Sequence, residues 1–139
     1  MSIKRYFSNA DTTITNAFKE SLTVRGTGSN MGAADILEVF QIYGQEVSSS
    51  SELSRVLVSF PVSDISADRT AGSLPAAGSV SFYLRLYNAE HSRTTPKNFS
   101  MTVDAVSSSW QEGVGLDMES YADKTYDKLG SNRIKSSGS

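Results

Sequence analysis

Val80-Ser-Phe-Tyr-Leu-Arg-Leu-Tyr87 places Val80, Phe82, Leu84 and Leu86 on one side of an extended chain and Ser81, Tyr83, Arg85 and Tyr87 on the other. A period of two marks a strand with one buried face. The same period recurs downstream, where Phe99, Met101, Val103 and Ala105 alternate with Ser100, Thr102 and Asp104. Upstream, Val56, Val58 and Phe60 alternate with Arg55, Leu57 and Ser59. Asp35 to Tyr43 reads as a strand apolar on both faces, broken by Glu38 and Gln41. Thr12 to Phe18 reads as an early strand because it is β-branched. The spacing of Ile14, Phe18 and Leu22 leaves a helix open there, although the threonines favour a strand. The separators are Arg25–Gly32, Ser48–Ser51, Ala71–Gly78 and Glu90–Lys97, rich in glycine, serine or polar residues. Short strands punctuated in this way predict an all-β, antiparallel β-sandwich, jelly-roll-like in character.

Composition sets the bounds. A chain of 139 residues is long enough for one domain with its own core. Its hydrophobic fraction of 38% implies strands that bury one face and leave the other polar. With 13 basic against 15 acidic residues, the net charge of -2 gives no electrostatic footprint for nucleic acid and no attraction to an anionic membrane. The absence of cysteine excludes disulfides and thiolate metal sites. Lys4 and Arg5 are not followed by the run of roughly 7–15 apolar residues that a secretory signal needs. No stretch approaches the roughly 18 apolar residues of a membrane span. The expectation is a protein made and assembled in the cytoplasm. The domain is expected over 1–120, followed by an irregular, polar C-terminal tail over 121–139, either anchored by Tyr121 and Tyr126 or ordered on a neighbour as an assembly arm.

Chemistry finds little support. His91 is the one histidine, so a histidine-built metal site is excluded and any Ser-His-Asp arrangement would rest on it alone. Glu112, Asp117 and Glu119 near Trp110 could form a carboxylate pair, but short loops build no cleft for a polysaccharide. Gly26–Gly32 lacks the spacing of a phosphate loop and reads as a turn whose glycines take positive φ. Asp11, Asp35, Asp64, Asp68, Asp104 and Asp117 leave calcium open as a ligand, without the density of a dedicated loop. No catalytic residue, cofactor or dedicated metal site is expected. Tyr83, Arg85 and Tyr87 share the polar face of their strand. Such side chains anchor protein interfaces or stack on sugars, or else pack across the sheet.

The order of the motifs carries a resemblance. An early Asp-Thr-Thr-Ile strand is followed by Gly-Ser-Asn-Met-Gly32, Leu37-Glu-Val39 and Ser54-Arg-Val-Leu-Val-Ser-Phe-Pro61. Then come the strand at 80–87 and Val103 to Gly113, ending in a Trp110-Gln-Glu-Gly113 corner. This resembles the DNRLRE-type β-sandwich modules. From Met1 to Ser137 the chain resembles virion structural proteins of tailed marine bacteriophages, particularly those of cyanobacteria. It departs at Arg133, where the family pattern usually has tryptophan. Related modules usually continue past this point, which implies a C-terminal region that is truncated, open, or completed by a neighbouring subunit. The resemblance implies a virion component (capsid decoration, fibre, neck or tail-associated) assembled in the host cytoplasm, a homo-oligomer bound to other virion proteins. Tyr6, Phe7, Tyr121 and Tyr126 on the terminal segments are then the expected partner contacts, together with Tyr83, Arg85 and Tyr87. Trp110, Glu112, Gly113 and Arg55 take structural roles, Arg55 with a carboxylate such as Glu38. The alternative is a carbohydrate-binding module for host-surface glycans, with Tyr83, Tyr87 and Trp110 as platforms.

Overall fold

The computed structural model describes residues 3–16, 31–43, 51–90 and 98–116. Contacts divide the chain into two units, Met1–Pro61 with Ser108–Ser139, and Val62–Ser107. Both units draw on the span 1–120 that the sequence presents as one domain. The expected tail from residue 121 lies outside the described residues.

The first unit is built on a three-stranded antiparallel sheet. Strands β1 (Ala10–Thr15), β2 (Gln41–Tyr43) and β3 (Ser51–Ser59) are ordered β1-β3-β2. β3 is central because Leu53, Val56, Leu57 and Val58 give it the β-branched and aliphatic content that suits a pleated, flanked position. β1 pairs along its whole length, from Ala10 opposite Ser59 to Thr15 opposite Ser54. β2 pairs with the start of β3, Gln41 opposite Leu53 and Tyr43 opposite Ser51. Side chains extend both ladders. The Leu53 N–H donates to Asn16 Oδ1 at 2.6 Å, and the Phe40 N–H donates to Ser54 Oγ at 2.6 Å.

The fully buried positions of this sheet are mostly polar. Among the described residues Met31 is the one buried hydrophobic side chain, while Thr12, Thr13, Thr15 and Glu52 are buried with it. Threonine tolerates this because a hydroxyl can find a local partner. Thr13 Oγ1 accepts the Glu38 N–H at 2.8 Å.

Strand expectations are met unevenly. The early strand forms at Ala10–Thr15, and Phe18 and Leu22, which keep a helix open in sequence, lie outside the described residues. Of the strand expected over 35–43, only Gln41–Tyr43 pairs. β3 begins inside the expected loop at Ser48–Ser51 and ends before Phe60, which is 36% exposed.

The second unit opens with helix α1 (Val62–Thr70), where the all-β reading places no element. Its ends explain it. Pro61 precedes the first turn, Asp64 lies within that turn and Arg69 lies in the last, matching the helix dipole. Gly72, at φ 74°, ends it in a Schellman motif. Gly72 N–H donates to Arg69 O at 3.2 Å and Ser73 N–H to Asp68 O at 2.9 Å. The connection expected over Ala71–Gly78 is observed, with Gly78 also at positive φ.

The stretches at 80–87 and 99–105, expected as strands with one buried face, are not paired as strands. No backbone hydrogen bond joins 80–90 to another described residue. Phe82, Leu84, Leu86, Phe99, Met101 and Val103 are exposed. Alternation decides which side chains share a face, but a strand also needs a neighbour for its backbone and a layer for its apolar side. The described residues supply neither.

Candidate functional site

Two places carry the residues singled out by sequence, one in each unit. In the first unit, the stretch after Trp110 turns against β1 and residues 31–34. The amides of Thr12, Ile14 and Asn16 face β3, so the Asp11 N–H faces away from it. Glu112 Oε1 accepts that amide at 2.8 Å. A carboxylate on a backbone N–H is a charge-assisted bond, stronger than a neutral one. Gly113 turns the chain at φ 81°, and the Ala33 N–H then donates to Gly115 O at 2.8 Å. Gly115 and Met31 are buried at this junction, and Trp110 is half-buried beside it in sequence.

Gly32 is the residue that sequence reasoning misreads. The turn reading places it among positive-φ glycines, and its φ is not positive. What it supplies is space, because a β-carbon there would overlap the backbone carbonyl of Glu112 and approach that of Gly113. No local pattern signals this, because the two segments lie far apart in sequence. Gly26 and Gly28 lie outside the described residues.

Glu112 and Gly113 thus lie where the chain turns against β1 and residues 31–34. Arg55 is exposed on β3, and no ion pair joins it to Glu38. β3 carries it outward, where water solvates the guanidinium at little cost. Glu112 holds an amide, while Asp117 and Glu119, its expected carboxylate partners, lie outside the described residues, as does His91. Among the described residues no three acidic or histidine side chains come together as a metal site would require.

In the second unit, Tyr83 is 88% and Tyr87 77% exposed, with Arg85 between them on the same side of the extended chain. The Arg85 guanidinium sits 4.9 Å from the centroid of the Tyr87 ring, within cation–π range. Near the N-terminus, Phe7 is 81% exposed, and Tyr6 is half-buried with Lys4 Nζ 5.9 Å from its centroid. Tyr121 and Tyr126 lie outside the described residues. No helix among the described residues is long and apolar enough to cross a membrane.

No family model matches this chain, and no curated protein or solved structure matches it.

Proposed function

We propose that this chain is a non-enzymatic structural protein of a bacteriophage virion, a decoration, fibre, neck or tail-associated component that works through assembly contacts. One observation carries the assembly role. Among the described residues seventeen large hydrophobic side chains are exposed and only Met31 is buried. Scattered apolar side chains are normal on a surface, but so many exposed among the described residues, beside one fully buried, support an interaction surface. The phage setting rests on the ordered motifs from Asp11 to Gly113. The sandwich belongs to the same proposal. The alternation at 80–87 and 99–105 supports a two-layer, jelly-roll-like sheet closed within an assembly. The terminal segments, with Phe7 exposed, are further contact points, and the virion is the expected location.

The test is to raise antibody against the chain and image purified particles, with mass spectrometry of the same preparation. Regular labelling at one structural position and stoichiometric recovery are expected. Absence from intact particles overturns the virion reading.

A second reading is favoured by the exposure of Tyr83 and Tyr87 around Arg85. Exposed aromatic rings beside a hydrogen-bond donor suit the apolar faces and hydroxyls of a sugar. On a virion this would serve attachment to host glycans. A glycan-array signal that disappears with Tyr83→Ala supports it, and a blank array for the assembled particle removes it.

A further inference from the structure

We infer that the stretches at 80–87 and 99–106 form a reciprocal interface with a second copy of this chain, Arg85 of each copy lying opposite Asp104 of the other. The inference deepens the assembly role proposed above and rests on it, naming the surface and the partner.

The second unit is incomplete by itself. No described residue of 62–107 is buried, and α1 buries none of its side chains. A segment of this size without a core does not hold its shape alone. Its exposed apolar residues are also ordered. Phe82, Leu84 and Leu86 occupy alternate positions of one stretch, and Phe99, Met101 and Val103 alternate positions of the other. Together these six expose on the order of 700 Å², close to the roughly 800 Å² that each partner contributes to a standard-size interface.

Charge and register fit a second copy, since the two stretches are not paired with one another as strands within the chain. The polar side of the first stretch carries Arg85, and that of the second carries Asp104, both exposed. Set antiparallel with Arg85 opposite Asp104, the two stretches bring Leu86 opposite Val103 and Leu84 opposite Ala105. Opposed residues in an antiparallel pair share a face. This register pairs the charges on one side and two apolar pairs on the other, while Phe82 and Met101 extend the apolar face opposite Ser107 and Asn88. A single such ribbon leaves its apolar face open, so a second ribbon is needed to cover it. Two copies exchanging these stretches make two such ribbons, and the ribbons close apolar face on apolar face at about the 10 Å spacing of packed sheets. The two-fold symmetry repeats the Arg85–Asp104 pair.

The test uses the full chain and its mass in solution by light scattering and sedimentation across a concentration series. A dimer is expected, alone or as the unit of a larger even-numbered assembly. Arg85→Glu and Asp104→Arg each set like charges opposite one another and should weaken association by on the order of tenfold or more per pair. In a mixed dimer of the two variants, one ribbon carries the charge pair reversed and the other carries it as in the parent, so opposite charges meet in both. Recovery of association in the mixture is the expected result. Slowed exchange of the Leu53 amide confirms that each variant keeps its sheet. The chain contains no cysteine, so Leu86→Cys with Val103→Cys introduces the only thiols. Oxidation should link two copies. Loss of association that mixing does not restore, or a disulfide confined within one chain, overturns this interface. A chain that fails here but still labels particles keeps its virion role through another surface, while absence from particles removes that role whatever its mass in solution.

Discussion

Gly32→Ala is the sharpest probe of the junction between residues 31–34 and 112–115. The new β-carbon would lie 2.6 Å from the Gly113 carbonyl oxygen and nearer still to that of Glu112. Ordinary carbon contacts lie at about 3.5–4.0 Å, so the two segments must part by on the order of 1 Å. Both obstacles are backbone, so no rotamer change relieves them. Separation of that size stretches the 2.8 Å bond from Ala33 to Gly115 and draws Glu112 away from the Asp11 amide. Overpacking alone costs about 1–3 kcal/mol, and an abandoned, part-buried amide about 1–3 kcal/mol more. Partial relaxation brings the expected loss to about 3 kcal/mol, or roughly 10 °C in Tm for a chain of this length. Thermal unfolding followed by circular dichroism, at one protein concentration because assembly shifts Tm, measures it. Hydrogen exchange at the Asp11 amide should accelerate in parallel. A variant whose Tm matches that of the parent, with Asp11 still protected, would refute the close approach of these segments.

Three further substitutions follow from the same geometry. Glu112→Ala should cost about 1–3 kcal/mol by stranding the Asp11 amide, while Glu112→Gln keeps an acceptor oxygen and should recover about half of that, read from denaturant midpoints. Thr13→Val removes the acceptor of the Glu38 amide and should cost about 1–2 kcal/mol, whereas Thr12→Val, whose hydroxyl makes only a 3.5 Å contact, should be near neutral, and equal losses would argue against this division of roles. Gly72→Ala meets nothing within 4 Å but must hold φ 74°, so it should cost about 1–2 kcal/mol through strain alone and speed exchange of the Ser73 amide without disturbing the sheet.

The parts of the fold that sequence exposes are those decided by local chemistry. β1 and β3 are readable because threonine, valine and leucine crowd short runs between breakers. Helix α1 is equally marked at its ends, by Pro61, Asp64 and Gly72, but its few apolar residues make no broad stripe, so no period of 3.6 stands out. At 80–87 the period is clear, yet the period describes faces and is silent about neighbours. Glu112 and Gly113 are recognisable as a corner after tryptophan. Gly32 is not, because its requirement is set by the Glu112 carbonyl, far along the chain. Charge alone pairs Arg55 with Glu38, and the strand simply turns the arginine to water.

The buried threonines of β1 have a thermal consequence. Unfolding raises the heat capacity in proportion to the apolar surface exposed and lowers it for polar surface. With Thr12, Thr13, Thr15 and Glu52 buried and only Met31 adding a buried hydrophobic side chain among the described residues, the polar term offsets part of the apolar one there. That offset flattens the contribution of the described sheet to the stability curve. On moderate cooling the described sheet loses less of its stabilisation, and its melting enthalpy varies less with temperature, than a sheet whose buried positions were leucine and valine.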